Sequence, residues 1–176
     1  MEDKDLIRYS RHIMLPEIDI EGQISISSSK IAVVGLGGLG CSASIYLAAS
    51  GVGELNLIDN DLIDLSNLQR QILFSEADLN KKKVDTAKIK LSSLNENIKV
   101  NSSNLRLNKS NIRKILEGSE IVLDCTDNFE TRKVINAYCL NEKKYLFQDL
   151  RKVGKVRFSP LISETKIHLV MNVSLK

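Results

Sequence analysis

Residues 31–40 read IAVVGLGGLG, and residues 55–71 read LNLIDNDLIDLSNLQRQ. An apolar run that breaks into glycines and re-forms as an Ala/Ser-rich helix is the pattern of a phosphate cradle. Glycine lets backbone N–H groups approach an anion, and the N-terminus of the following helix adds partial positive charge. Gly35, Gly37 and Gly40 satisfy G-x-G-x-x-G, with Gly38 as an extra glycine. Alone, this spacing is shared by dehydrogenases, flavoproteins and methyltransferases. Asp59 stands about 20 residues past the turn, where an acid accepts hydrogen bonds from ribose hydroxyls. Its plain alternative is a strand-end turn residue. To this point a dinucleotide such as NAD is the favoured ligand.

The run Ser66-Asn67-Leu68-Gln69-Arg70 shifts that reading. A dehydrogenase needs no arginine-bearing polar cluster beside its ribose acid, whereas a triphosphate needs cations and amides on its oxygens. Lys83 offers a second cation, and charge developing on a transferring phosphoryl group calls for donors already in place. Taken singly, Arg70 or Lys83 is more often a surface residue than a catalyst. Further on, Asp124-Cys125-Thr126-Asp127-Asn128 supplies two carboxylates at the end of another apolar run. Mg²⁺ prefers carboxylate and phosphate oxygens, so one of the two is a candidate ligand. The bland alternative makes Asp127 or Asn128 a helix N-cap.

Composition sets the bounds. The 176 residues suffice for one domain with a real core, and 43% hydrophobic with 27% charged residues is ordinary for a globular protein. The 25 basic and 22 acidic side chains leave a net charge of +3, too small to argue for nucleic acid. Lys81, Lys82 and Lys83 form the richest basic cluster, and a solvated helix face is its default reading. No apolar run is long enough to span a membrane, and MEDKDLIRYS lacks a signal-peptide core. Cys41, Cys125 and Cys139 have no C-x-x-C spacing. They read as reduced cysteines of a cytoplasmic protein, without a zinc site or a disulfide framework.

Strand-like and helix-like segments alternate. The pattern predicts a helix over 5–14, a poor helix or loop over the serine-rich 22–29, strands at 31–34 and 54–59, and a helix over 39–50 between them. A helix over 83–94, a strand over 98–105, a short helix over 111–116, a strand at 121–124, a helix over 128–141 and a strand beginning with 145–147 complete it. Such alternation implies an α/β fold: a Rossmann-like, doubly wound, mostly parallel sheet with helices on both faces. Ligands of such sheets sit at the carboxyl ends of the strands, where Asp59 and residues 124–127 fall.

These residues carry a family resemblance. RYSRHIMLPEI at 8–18, the stretch 35–74 from GLGGLG to QRQILF, Lys83 and DCTDNFETR at 124–132 stand in order and with few gaps. Together they resemble the ubiquitin-activating-like adenylyltransferases, the ThiF/MoeB/HesA group that activates sulfur-carrier proteins for molybdopterin or thiamin synthesis. The resemblance implies that a carrier's C-terminal Gly-Gly carboxylate attacks the α-phosphate of ATP, giving an acyl-adenylate and pyrophosphate. It implies that Gly35, Gly37 and Gly38 lie against the nucleotide and that Asp59 binds the ribose. Asp61, Ser66, Leu68, Gln69 and Asn128 join the ATP site, and Asn67, Arg70 and Lys83 carry phosphate charge. Asp127 holds Mg²⁺, and Arg11 reaches across a homodimer into the partner's ATP site. Without the resemblance Arg11 is a surface helix charge. One departure is His12, where the family usually has Gln. Nucleic acid and membrane are not among the implied partners. Two other readings are a nucleotide-binding relic or partner subunit without turnover and an NAD-linked oxidoreductase, which Arg70 and Lys83 disfavour.

On this reading residues 1–29 form a helical arm, 30–147 the ATP-binding domain and 148–176 a divergent tail. The family continues past the position of Phe147 with a small-residue segment, a strand and a C-x-x-C zinc pair; here no cysteine follows Cys139. A one-base frameshift accounts for the difference. With Gln148–Val156 back-translated as CAG GAT CTG CGA AAG GTT GGG AAG GTA, one choice among synonymous codons, moving back one base yields Ser-Gly-Ser-Ala-Lys-Gly-Trp-Glu-Gly, very like the family segment. The same shift across Leu169–Val173 yields Cys-Tyr-Glu-Cys. The expectation is an intact ATP half joined to a poorly specified tail, without the zinc staple or the last strands of the sheet.

Overall fold

The computed structural model describes residues 1–148. In it, β1 (Lys30–Val34), β2 (Glu54–Ile58), β3 (Lys99–Ser103), β4 (Ile121–Asp124) and β5 (Tyr145–Gln148) form one sheet. All its pairings are parallel, in the order β3-β2-β1-β4-β5. The helices are α1 (Asp3–Arg8), α2 (Ser10–Ile13), α3 (Asp19–Ser28), α4 (Gly38–Ala49), α5 (Lys83–Leu94), α6 (Ile112–Ile115) and α7 (Phe129–Asn141). This is the doubly wound parallel sheet that the alternation predicts.

β1 shows why its sequence is a continuous apolar run. Ile31 and Val33 point into a core shared with Cys41 and Ala48 of α4 and Val84, Ala87 and Leu91 of α5. Ala32 and Val34 point the other way, onto Ile112 of α6 and Ile135 and Cys139 of α7. Both faces are covered, so polar alternation has no place in the strand. The chain leaves β1 toward β2 on one side and, after β3, returns to β4 on the other. The loops after β1 and β4 therefore diverge, and a crevice opens between them at the carboxyl ends of the strands.

The N-terminal arm differs from its expected form. One helix over 5–14 is predicted, but the chain breaks at Tyr9, which ends α1 and opens α2. The break buries Tyr9 to 4% exposure, with its hydroxyl accepting from Asn95 Nδ2 at 2.9 Å and its ring against Gly51. A Cβ on Gly51 would stand 2.4 Å from the Tyr9 hydroxyl, and its φ of +82° also favours glycine. The serine-rich segment forms the ten-residue helix α3, because Gln23 anchors it. Gln23 is fully buried, donates to Ser50 O at 2.9 Å and accepts from His12 Nδ1 at 2.9 Å. Tertiary bonding overrides the weak local propensity, and His12 has a structural partner.

The helix over 83–94 has its predicted bounds, although Ile89 is 72% exposed and stands outside the core. β5 begins where predicted and continues to Gln148, which pairs with Asp124 along the sheet and donates to its Oδ2 at 2.9 Å. The expected out-of-frame tail otherwise lies outside the described residues. Among those, no helix is long and apolar enough to cross a membrane.

Candidate active site

The crevice is a cleft of about 1180 Å³, and residues from four strand ends meet in its wall. The turn after β1 supplies Gly35, Gly37 and Gly38, and the turn after β2 supplies Asp59 and Asp61. Asn67 and Arg70 come from the segment beyond, Lys83 from the start of α5, and Asp127 and Asn128 from the loop after β4.

Two of the glycines have steric reasons to be glycine. Gly35 has φ +92°, and a Cβ there would come within 3.0 Å of Cys125 O, so the β1 turn packs against the β4 loop. A Cβ on Gly40 would stand 1.9 Å from Gly35 O. Gly37 is the N-cap of α4, and its missing Cβ would meet nothing within 4 Å. An anion can therefore approach the α4 N-terminus there. The Gly38 surface is taken by the Arg70 side chain, whose Cγ lies 3.3 Å from where a Cβ would be. Gly38 thus gives Arg70 its seat while standing in the cleft wall itself.

Asp59 couples the two turns. Its Oδ2 accepts from Leu36 N at 2.6 Å and its Oδ1 from Asp61 N at 2.7 Å. Each oxygen keeps a second lone pair, so ribose hydroxyls still find an acceptor. Lys83 is 4% exposed, and its Nζ donates to Asp61 Oδ2 at 3.1 Å; the Lys83 backbone N–H also donates to Asp61 O at 3.1 Å. The Asp61 side chain is 60% exposed, so the ion pair has one dry end and one wet end.

Arg70 is exposed, and its Nη1 donates to Ser66 O at 3.0 Å and Gln69 Oε1 at 3.1 Å. Ser66 and Gln69 lie outside the cleft wall and aim the arginine. Leu68 also lies outside it and packs on the core. Asp64 accepts from Ser66 N at 2.8 Å at the start of the 3-10 turn Leu65–Asn67, and hydrogen bonding from Ser66 holds its carboxyl below the usual range.

The two carboxylates after β4 part ways. Asp124 is 1% exposed, stands outside the cleft wall and is bonded through both oxygens: Oδ1 accepts from Thr126 N at 3.0 Å and Thr126 Oγ1 at 2.6 Å, and Oδ2 from Gln148. It is a structural carboxylate, not a candidate metal ligand. Asp127 is exposed in the cleft wall. Asn128 caps α7, its Oδ1 accepting from Glu130 N at 3.0 Å and Thr131 N at 3.2 Å, so its acceptor is committed to the helix. Arg132 fastens the same loop through Nε and Nη2 to Thr126 O. Among the described residues no group of three or more His, Cys, Asp or Glu could hold a metal by itself.

Arg11 stands on α2, exposed and outside the cleft. Gln71, Arg106 and Arg132 line it without having been singled out. Gln71 is 2% exposed, and its Oε1 has no hydrogen-bond partner among the described residues. Its position beyond a 3-10 turn hid it; Arg106 was hidden in a Leu-Arg-Leu alternation after a strand. Cys41 lies beneath the turn with its thiol donating to Leu36 O at 3.3 Å, and burial pushes its pKa up to about 12. It is no nucleophile at neutral pH.

Comparison with known proteins agrees with this geometry. The molybdopterin-synthase adenylyltransferase of Haemophilus influenzae is 46% identical over 158 residues, covering 89% of this chain and 65% of that protein. The sulfur carrier protein ThiS adenylyltransferase of Escherichia coli is 44% identical over 140 residues, covering 80% of this chain and 56% of that protein. The chain thus spans less than two-thirds of either relative's length. The crystal structure of E. coli MccB with ATP superposes with a TM-score of 0.73 at 33% identity, over 78% of this chain and 41% of that one. The ThiF family profile matches residues 9–150, passing beyond Phe147, where the resemblance was expected to stop. With that match over most of its length, and the glycine turn, Asp59, Arg70 and Lys83 gathered in one cleft, the chain belongs to the ThiF family.

Proposed function

We propose that this chain adenylates the C-terminal Gly-Gly carboxylate of a ubiquitin-like sulfur-carrier protein for molybdopterin or thiamin sulfur transfer. The observation that carries the reading is Lys83, a cation with a 5% exposed side chain in the wall of a polar cleft, balanced by one largely exposed carboxylate. A fixed, desolvated ammonium stabilises phosphate charge far better than one in water. The names of the curated relatives and the ATP in the MccB crystal support the same chemistry.

The reaction needs little covalent help from the protein. A carrier carboxylate is already ionised at neutral pH. One of its oxygens attacks the α-phosphorus of ATP, the bond from that phosphorus to the oxygen bridging to the β-phosphate breaks, and pyrophosphate leaves with the electron pair. The products are the acyl-adenylate and pyrophosphate. Asp59 orients the ribose, the α4 N-terminus at Gly37 receives phosphate oxygen, and Lys83 and Arg70 offset the growing charge. Arg70 keeps donors beyond Nη1 for this purpose. Asp127 fits Mg²⁺, since its carboxylate is exposed and accepts no hydrogen bond among the described residues. Mg²⁺ uses one or two carboxylates plus phosphate oxygens, and when bound it would screen the phosphates. Arg11, outside its own cleft, belongs on this reading to the partner's site in a cytoplasmic homodimer.

ATP–pyrophosphate exchange tests the proposal. Exchange should require the carrier and vanish when the carrier's C-terminal carboxylate is amidated. Nucleotide binding without exchange would favour the non-catalytic relative, and NADH binding the oxidoreductase.

A further inference from the structure

We propose that Arg106 stacks its guanidinium on the purine ring of the bound nucleotide and sets base affinity. The inference rests on the nucleotide reading above and adds a residue to it. In an open parallel sheet the phosphates sit at the glycine turn after one strand, and the ribose acid stands at the end of the next. Here these are β1 and β2, with Gly37 and Asp59. Neighbouring strands lie about 4.8 Å apart, so a nucleotide extended along this line brings its base over the end of β3, about 10 Å from the cradle. Leu105-Arg106-Leu107 stands there, two residues beyond β3.

All three residues of this tripeptide line the cleft, and the alternation leaves one of them exposed in it. Leu107 is 3% exposed and Leu105 partly buried, both packed in the core with Val34 and Ile58. Arg106 between them is exposed and lines the same cleft as Asp59. Its backbone is held, because Arg106 O accepts from Asn111 Nδ2 at 3.0 Å. Its guanidinium makes no hydrogen bond or ion pair among the described residues. A tethered backbone with a free, planar, weakly hydrated cation suits stacking on a base, since every base presents a π-face. Arg106 is a binding residue on this account and takes no part in bond making.

Calorimetric titration of the full chain with ATP, adenosine and tripolyphosphate, for wild type, Arg106→Leu, Arg106→Lys and Arg106→Phe, tests the proposal. Arg106→Leu should weaken ATP and adenosine by the same factor, about 3- to 10-fold, and leave tripolyphosphate unchanged. Arg106→Phe should restore a flat surface and most of the affinity, and Arg106→Lys should not. Exchange kcat should hold while KM for ATP rises. Loss with ATP and tripolyphosphate that Lys restores would make Arg106 a phosphate cation and overturn the proposal. Unchanged affinity in all three variants would overturn it as well. If wild type binds ATP, those failures leave the adenylation reading standing; if wild type binds no nucleotide, both fall.

Discussion

Replacing Lys83 with Met separates catalysis from folding. The side chain is buried, yet its carboxylate partner, Asp61 Oδ2 at 3.1 Å, belongs to a side chain that is 60% exposed. Breaking a fully buried ion pair costs about 3–5 kcal/mol because one charge is stranded in the dry interior. Here the stranded charge is Asp61, which water already reaches, so the electrostatic cost should stay near that of a surface pair, about 1 kcal/mol or less. Met keeps most of the aliphatic stem, so no large cavity forms. For a chain of this size about 1 kcal/mol shifts Tm by about 2–4 °C. The chemical step is another matter: losing one fixed donor to a developing oxyanion costs about 100- to 1,000-fold in kcat. Lys83→Met should therefore melt within about 4 °C of wild type and lose at least about 100-fold in carrier-dependent ATP–pyrophosphate exchange. Exchange within about fivefold of wild type, set against that range, would refute the role given to Lys83. A fall in Tm well beyond about 10 °C would instead refute the reasoning about the wet end of the pair.

Three further outcomes follow from the same geometry. Gly37→Ala should keep its Tm, because a Cβ there meets nothing, yet raise KM for ATP; Gly40→Ala should lose stability outright, because its Cβ would stand 1.9 Å from Gly35 O, as paired thermal melts will show. Asp59→Ala frees Leu36 N and Asp61 N, so urea unfolding should reveal a loss of about 1–3 kcal/mol beside the loss of ribose binding. Asp78 accepts from Lys90 Nζ and from Ser75, and the Lys90 ammonium holds its carboxyl well below the usual range. A depressed folded-state pKa stabilises above the unfolded value near 3.9 and is lost as pH falls below it. Urea midpoints of wild type should therefore drop more steeply than those of Asp78→Asn between about pH 4 and pH 2.

The sheet was legible because both of its faces are covered. β1 is a bare apolar run, β2 is followed by an acid and β4 ends in one, and the helices between them carry small or periodic apolar residues; each reads without knowledge of its neighbours. The arm was not, since Tyr9 and Gln23 take their conformations from Asn95, Gly51 and Ser50, which are remote in sequence. The cleft was legible where chemistry follows a strand end, as at Gly37, Asp59 and Asp127. It was less so where neighbours in sequence divide the work. Within Ser66–Gln71, Asn67, Arg70 and Gln71 line the cleft while Ser66 and Gln69 aim Arg70 from outside it. Asp124 and Asp127 look alike as text, and only the Thr126 and Gln148 contacts assign the first to structure.

The most direct measurement is the intact mass of a Gly-Gly-ending sulfur carrier after incubation with this chain, ATP, Mg²⁺ and pyrophosphatase. Carboxylate attack on the α-phosphorus predicts a carrier heavier by one adenylyl group, reversed by pyrophosphate added after the pyrophosphatase is removed, and absent when the carrier's terminus is amidated. A carrier of unchanged mass while ATP is bound, or while ATP is consumed to ADP, would contradict it.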